Sequence, residues 1–93
     1  MKTLAIIEKE LLSELSFTKE DVLTTPDQRK QRFAELQRAQ TLGNLLQTKV
    51  FITFETRDGS LHQVHTTVWA VGEDFISLKG GKSIPIRAIH SVH

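Results

Sequence analysis

The side chains with the means to do chemistry are four histidines, a scatter of serines, two adjacent carboxylate pairs and one Gly-Gly-Lys-Ser run. His62 and His65 stand three apart in a stretch that alternates like a strand, so they project to opposite faces, and the same holds for His90 and His93. A metal site would need a partner from another strand, and the chain has no cysteine to supply a thiolate. These histidines therefore read as polar strand positions, with neither metal nor cofactor expected. Ser60, Ser77, Ser83 and Ser91 lie in no strand-turn-helix elbow and beside no acid-base pattern. Glu20-Asp21 and Glu73-Asp74 read as solvated cap and turn residues. Gly80-Gly81-Lys82-Ser83 lacks the upstream glycine and the following helix of a phosphate loop, and reads as a hairpin turn. The expectation is a protein that is not an enzyme.

Binding is the remaining chemistry, and it turns on which aromatic and basic side chains face outward. If Val50, Ile52 and Phe54 point inward, Phe51 points outward; Ile76 and Leu78 inward leave Phe75 outward. Trp69 poses the same question on the strand between them. Such rings stack a base, meet a protein partner or lie under a helix. Among the basic residues, Arg29, Lys30, Arg32, Arg38 and Lys49 scatter around a helix axis, which describes a solvated helix rather than a nucleic-acid stripe. The candidate partner-binding residues are Phe51, Trp69, Phe75, Arg87, Arg32 and Arg38.

The elements that must position them occupy 93 residues, enough for one domain with a small core. Twelve basic against eleven acidic residues give no overall field to steer nucleic acid or a membrane. By segment the net charge is −2 over 1–25, +3 over 26–49 and zero over 50–93. The absence of cysteine, an apolar N-terminal run broken at Glu8, and the lack of any membrane-length apolar stretch point to a cytoplasmic protein.

The chain divides near Lys49 into a helical N-terminal part (1–49) and a β part (50–93) of one domain. Leu4, Ile7, Leu11 and Leu15 mark one face of a first helix capped by Thr3, covering the β part or pairing with a second copy. Thr25-Pro26-Asp27-Gln28 has the form of a capping box with proline at the first position, and opens a helix reaching about Leu46, with Phe33, Leu36, Ala39, Leu42 and Leu46 as its apolar residues. Gly43-Asn44 marks a kink or an early end.

From Val50 the period is two. Arg57-Asp58-Gly59-Ser60 suits a type I′ hairpin, and Leu61–Val71 is long enough to require a bend or bulge serving two sides of a barrel. Turns at 72–74 and at Gly80-Gly81 and a corner at Arg87-Ala88 complete five strands. The expected core is Val50, Ile52, Phe54, Val64, Val68, Ile76, Leu78, Ile84, Ile86, Ile89 and Val92, with Phe33 and Leu36. Ser83, Pro85 and Arg87 are expected to face out.

The order helix, "VFITFETRDG", long bent strand, "DFISLK" and "IPIRAIHSV" resembles the Sm-like fold, including its bacterial members of the Hfq and Rof types, over residues 26–93. Gly59 stands where that family places a glycine, and Ile86-Arg87-Ala88 is similar to its Ile-Arg-Gly step. The resemblance implies an α+β domain with one or two N-terminal helices packed on a five-stranded, bent antiparallel SH3-like (Sm-like) barrel. It does not carry the family's ring-shaped RNA site, because the early glycine of the bent strand and the Asp/Asn base clasp are missing. The expected function is a non-enzymatic binding module, an adaptor or regulator acting on a protein partner. The alternative is an RNA-binding Sm-like protein acting as a homo-oligomer. No membrane role is expected.

Overall fold

The computed structural model describes residues 5–93; Leu4 and Thr3 of the first proposed helix lie outside them. The long helix α1 (Pro26–Leu46) begins as its sequence dictates. Thr25 Oγ1 accepts the Gln28 amide at 3.2 Å, and Gln28 Oε1 accepts the Thr25 amide at 3.4 Å. Pro26 sits where a missing N–H costs nothing. The helix ends at Gln47, which takes the left-handed conformation (φ 54°) and returns its amide to the Gly43 carbonyl. Gly43 is neither a kink nor an end. It is a point of close approach: a Cβ there would collide with the Val68 carbonyl oxygen and lie 2.9 Å from the Thr67 methyl.

The buried face of α1 is Arg32, Leu36, Ala39 and Gly43, at helical steps of four, three and four. The sequence stripe was placed one position away from this face at its start, so Phe33 is 48% exposed instead of core, and Leu46 is exposed as well. An arginine occupying an inward position explains the error, because periodicity counts only apolar residues.

The strands are β1 (Ala5–Ile6), β2 (Val50–Glu55), β3 (Leu61–Thr66), β4 (Val68–Val71), β5 (Phe75–Leu78), β6 (Ser83–Pro85) and β7 (Ile89–Val92). They form two sheets, of order β1-β3-β2-β7 and β4-β5-β6. Among the described residues this is an α+β fold with seven strands, and neither sheet closes into a barrel. The expected long strand 61–71 is present as β3 and β4, broken at Thr67. Thr67 is fully buried, and its carbonyl accepts the Lys79 amide at 3.0 Å. The β2–β3 turn departs from type I′: Gly59 alone has positive φ (85°), and its amide returns to the Thr56 carbonyl.

Each half of the bent run leaves one edge open, and an N-terminal element fills each gap. Beyond β3 lies β1, pairing in parallel (Ala5 with His62), followed by a 3₁₀ turn (Lys9–Glu14) that buries Leu12. The free edge of β4 meets α1, where Gln40 Oε1 accepts the Val71 amide at 2.8 Å. The expected first helix is therefore a two-residue strand and a 3₁₀ turn. A segment this short has little helical stability of its own, and the hydrogen bonds offered by an open sheet edge outweigh it. Leu11, assigned to the covering stripe, is exposed, while Ile7 and Leu15 pack against the core.

One hydrophobic cluster takes Leu12 from the N-terminal segment, Leu36 and Ala39 from α1, and residues of both sheets. Burying a leucine such as Leu12 contributes about 1.5–3 kcal/mol. Two outward assignments near the C-terminus are corrected. Pro85 is buried and Arg87 half-buried, because the chain between Phe17 and Val22 crosses this corner: Arg87 Nε donates to the Thr18 carbonyl at 2.8 Å, and the Val22 amide donates to the Arg87 carbonyl at 2.9 Å. Ile86, expected in the core, is partly buried against it.

Candidate functional site

The β4–β5 ribbon brings together two of the three aromatic side chains that are about half exposed, Trp69 and Phe75; the third, Phe33, stands on α1. On β5 the alternation puts Ile76 and Leu78 inside, which leaves Phe75 and Ser77 outside; Phe75 is 52% exposed. On β4 the pairing passes from Val68–Leu78 to Ala70–Ser77, so Trp69 is an extra residue at a bulge. A bulge re-aims side chains. Here it turns both Trp69 and Ala70 to solvent, while Val68 stays buried, and Trp69 is 48% exposed.

The tight turn between the strands is closed by the Gly72 amide on the Phe75 carbonyl at 2.8 Å. It carries exposed Glu73 and Asp74 at its tip. Beside Phe75 lies a cleft of about 330 Å³ whose walls include Glu73, Asp74, Arg32 and Arg87. Arg32 is only 5% exposed and belongs to the architecture: it donates to Asp21 Oδ1 and Oδ2 at 2.9 and 2.7 Å and to the Ile89 carbonyl at 3.0 Å. Burial works against ionising Asp21, but the Arg32 hydrogen bonds, the Leu23 amide and the charges of Arg32 and Arg29 outweigh it and hold its pKa below the ordinary carboxylate value. Arg32 is thus committed to Asp21 and Ile89 and presents little surface to the cleft it lines.

No family model, curated protein or solved structure matches this chain. The site must be judged on its own geometry. Of the six residues singled out in the sequence, Trp69 and Phe75 share the ribbon, and Arg87 borders the Phe75 cleft with its guanidinium anchored on Thr18. Phe51 lies elsewhere, half-buried on β2 and stacked on His65 with ring centroids 4.1 Å apart and planes 6° from parallel. Arg38 is exposed on α1 beside a separate groove with Leu42, Val50 and Val92. Glu73 and Asp74, read from sequence as ordinary turn residues, prove to rim the aromatic face; their adjacency to Phe75 was the available signal.

Elsewhere, polar side chains tie turns and strands together. Thr56 Oγ1 donates to Asp58 Oδ1 at 2.6 Å and lies 3.3 Å from His62 Nε2. That hydroxyl, with the amide and hydroxyl of Ser60, lowers the Asp58 pKa to about 2. Thr56 is buried with its hydroxyl proton donated to Asp58. His62 stacks on Phe54, and His90 Nε2 lies 2.9 Å from Glu55 Oε1, an ordinary cross-strand tie. Among the described residues no three His, Asp or Glu side chains gather as a metal site, and no helix is long and apolar enough to cross a membrane.

Proposed function

We propose that this chain is a non-enzymatic binding module, an adaptor or regulator that engages a protein partner through the Trp69–Phe75 face. The observation carrying this reading is that two large aromatic side chains stay about half exposed on one β-ribbon, at a bulge and beside a turn. Aromatic side chains supply much contact area at little entropic cost and dominate the energetic centre of protein interfaces. Glu73 and Asp74 at the rim suit a partner surface that carries lysine or arginine. Counting β3 and β4 as one bent strand gives the run β7-β2-β3/β4-β5-β6, which supports reading the β part as a small SH3-like or Sm-like barrel with its corners filled by N-terminal elements. The cytoplasm is the proposed setting, with no part played by a membrane.

Trp69 is the sole tryptophan, so cross-linking capture can be followed by titration of its fluorescence. The expected result is nuclease-resistant capture from cell extract, lost in Trp69→Ala and Phe75→Ala while the melting temperature holds. Capture that requires RNA, or that persists in the double variant, refutes the reading.

A second reading, an RNA-binding Sm-like homo-oligomer, is favoured by the sheet orders, which leave β6 and β7 as outer strands with one edge each to offer another copy. Light scattering at the monomer mass with no retardation of single-stranded RNA at low salt removes it.

A further inference from the structure

A second cleft, of about 310 Å³, lies away from the aromatic ribbon, where the N-terminal segment meets the β3–β4 bend. Three lysines from three separate elements line it: Lys9 from the 3₁₀ turn, Lys49 from the link between α1 and β2, and Lys79 after β5. Lys79 Nζ donates to a neutral acceptor, Gln47 Oε1, at 3.2 Å. Lys9 is half-buried and leans over Gly80, its ammonium 3.3 Å from where a Cβ would stand. None of the three pairs with a carboxylate among the described residues, and residues 1–4 (Met-Lys-Thr-Leu) contain no acidic side chain. Glu8 and Glu10 also line the cleft; both are exposed and neither forms an ion pair among the described residues. With three ammonium groups against two carboxylates, the lining stays net positive and offers an anion three charge-assisted donors.

His65 forms part of the same wall. Phe51 backs one face of its ring, and His65 is itself exposed, so the other face is open to a planar group. Ammonium groups for phosphate beside a braced ring for stacking are the two halves of nucleotide recognition.

We infer that this cleft binds a nucleotide, its phosphates held by Lys9, Lys49 and Lys79 and its base stacked on His65. Two sources share that chemistry: a free nucleotide, or one unit of a single-stranded nucleic acid.

Isotope-edited NMR and calorimetry on the full chain at low salt, with ATP, inorganic tripolyphosphate and a short oligoadenylate as probes, test the inference. ATP or the oligoadenylate is expected to bind saturably and to shift the His65 ring resonances. Lys9→Ala and Lys79→Ala should each weaken binding about tenfold, the loss of one charge-assisted hydrogen bond. His65→Ala should weaken ATP by about tenfold and leave tripolyphosphate unchanged. Lys49→Glu, on the exposed link, carries the test if either of the other lysine variants loses its melting transition. Tighter binding of the oligoadenylate assigns the source to nucleic acid, and equal or tighter binding of ATP to the free nucleotide. No saturable binding of either, affinity indifferent to the lysine changes, or tripolyphosphate matching ATP with His65→Ala silent, overturns it.

Discussion

Replacing Asp21 by alanine removes the one carboxylate that, among the described residues, bonds the 5% exposed guanidinium of Arg32. Arg32 would keep the Ile89 carbonyl at 3.0 Å and lose the two contacts at 2.9 and 2.7 Å. Its Nε is already buried without a partner, so nothing nearby compensates. Breaking such a pair from one side costs about 3–5 kcal/mol. Arg29, 3.7 Å from Asp21 with its side chain more than half exposed, adds less than about 1 kcal/mol. For a domain of this length, total stability is on the order of 5–14 kcal/mol, so the variant should melt at least ~12 °C lower. Arg32→Met is expected to be milder, about 1–2 kcal/mol, because it removes the buried charge and leaves Asp21, whose side chain is 20% exposed, within reach of water. Adding Asp21→Ala to Arg32→Met should then cost little more.

The pH dependence follows from the lowered Asp21 pKa. Because the folded value lies below the ordinary 3.8, the stabilisation is complete above 3.8 and lost as pH falls through the folded value. Urea denaturation followed by circular dichroism, at neutral pH and in acid, should show wild type and Asp21→Ala converging at low pH. A cost below ~1 kcal/mol at neutral pH, an equal gap in acid, or a larger cost for Arg32→Met would refute the reasoning.

Gly43→Ala should destabilise by about 1–3 kcal/mol although alanine favours the helix by about 1 kcal/mol, since its methyl strikes the Val68 carbonyl; a gain in melting temperature contradicts that contact. Thr25→Ala should cost about 1 kcal/mol by opening the capping box, read as a lower urea midpoint with unchanged slope. In Thr56→Val the Asp58 carboxyl loses its first hydrogen bond, and its pKa, followed by carbon NMR, should rise from about 2 toward 3.8; an unmoved titration disproves the assigned cause.

Where local rules suffice, the sequence was legible. Thr25-Pro26-Asp27-Gln28 opened the helix at its observed residue, and alternation placed Val50, Ile52, Phe54, Ile76 and Leu78 inside and Phe75 outside. The need for a bend within 61–71 followed from length alone. What failed depended on distant partners. Helical spacing in residues 4–15 gave no sign that the edge of β3 would claim Ala5 and Ile6, and although Arg32 falls near the apolar arc of its helix, nothing pointed to its partner, Asp21, which lies in a loop of no regular pattern. The exposure of Trp69 rests on a bulge that alternation does not encode. The lysine cleft left no trace either, since Lys9, Lys49 and Lys79 meet only through the fold.

The two filled gaps beside Thr67 also predict an order of assembly. The pairings of β2 with β3, β4 with β5 and β5 with β6 are all between neighbours in the chain and close at small entropic cost. Ala5 must find His62 across more than half of the chain, and Gln40 must reach Val71 across 31 positions. The hairpins are therefore expected to form first, with the N-terminal segment and helix docking onto them later. In native-state hydrogen exchange the amides of Ile7 and Val71, whose acceptors belong to that late contact, should be released before those at the centre of β2, so the molecule comes apart from its corners inward.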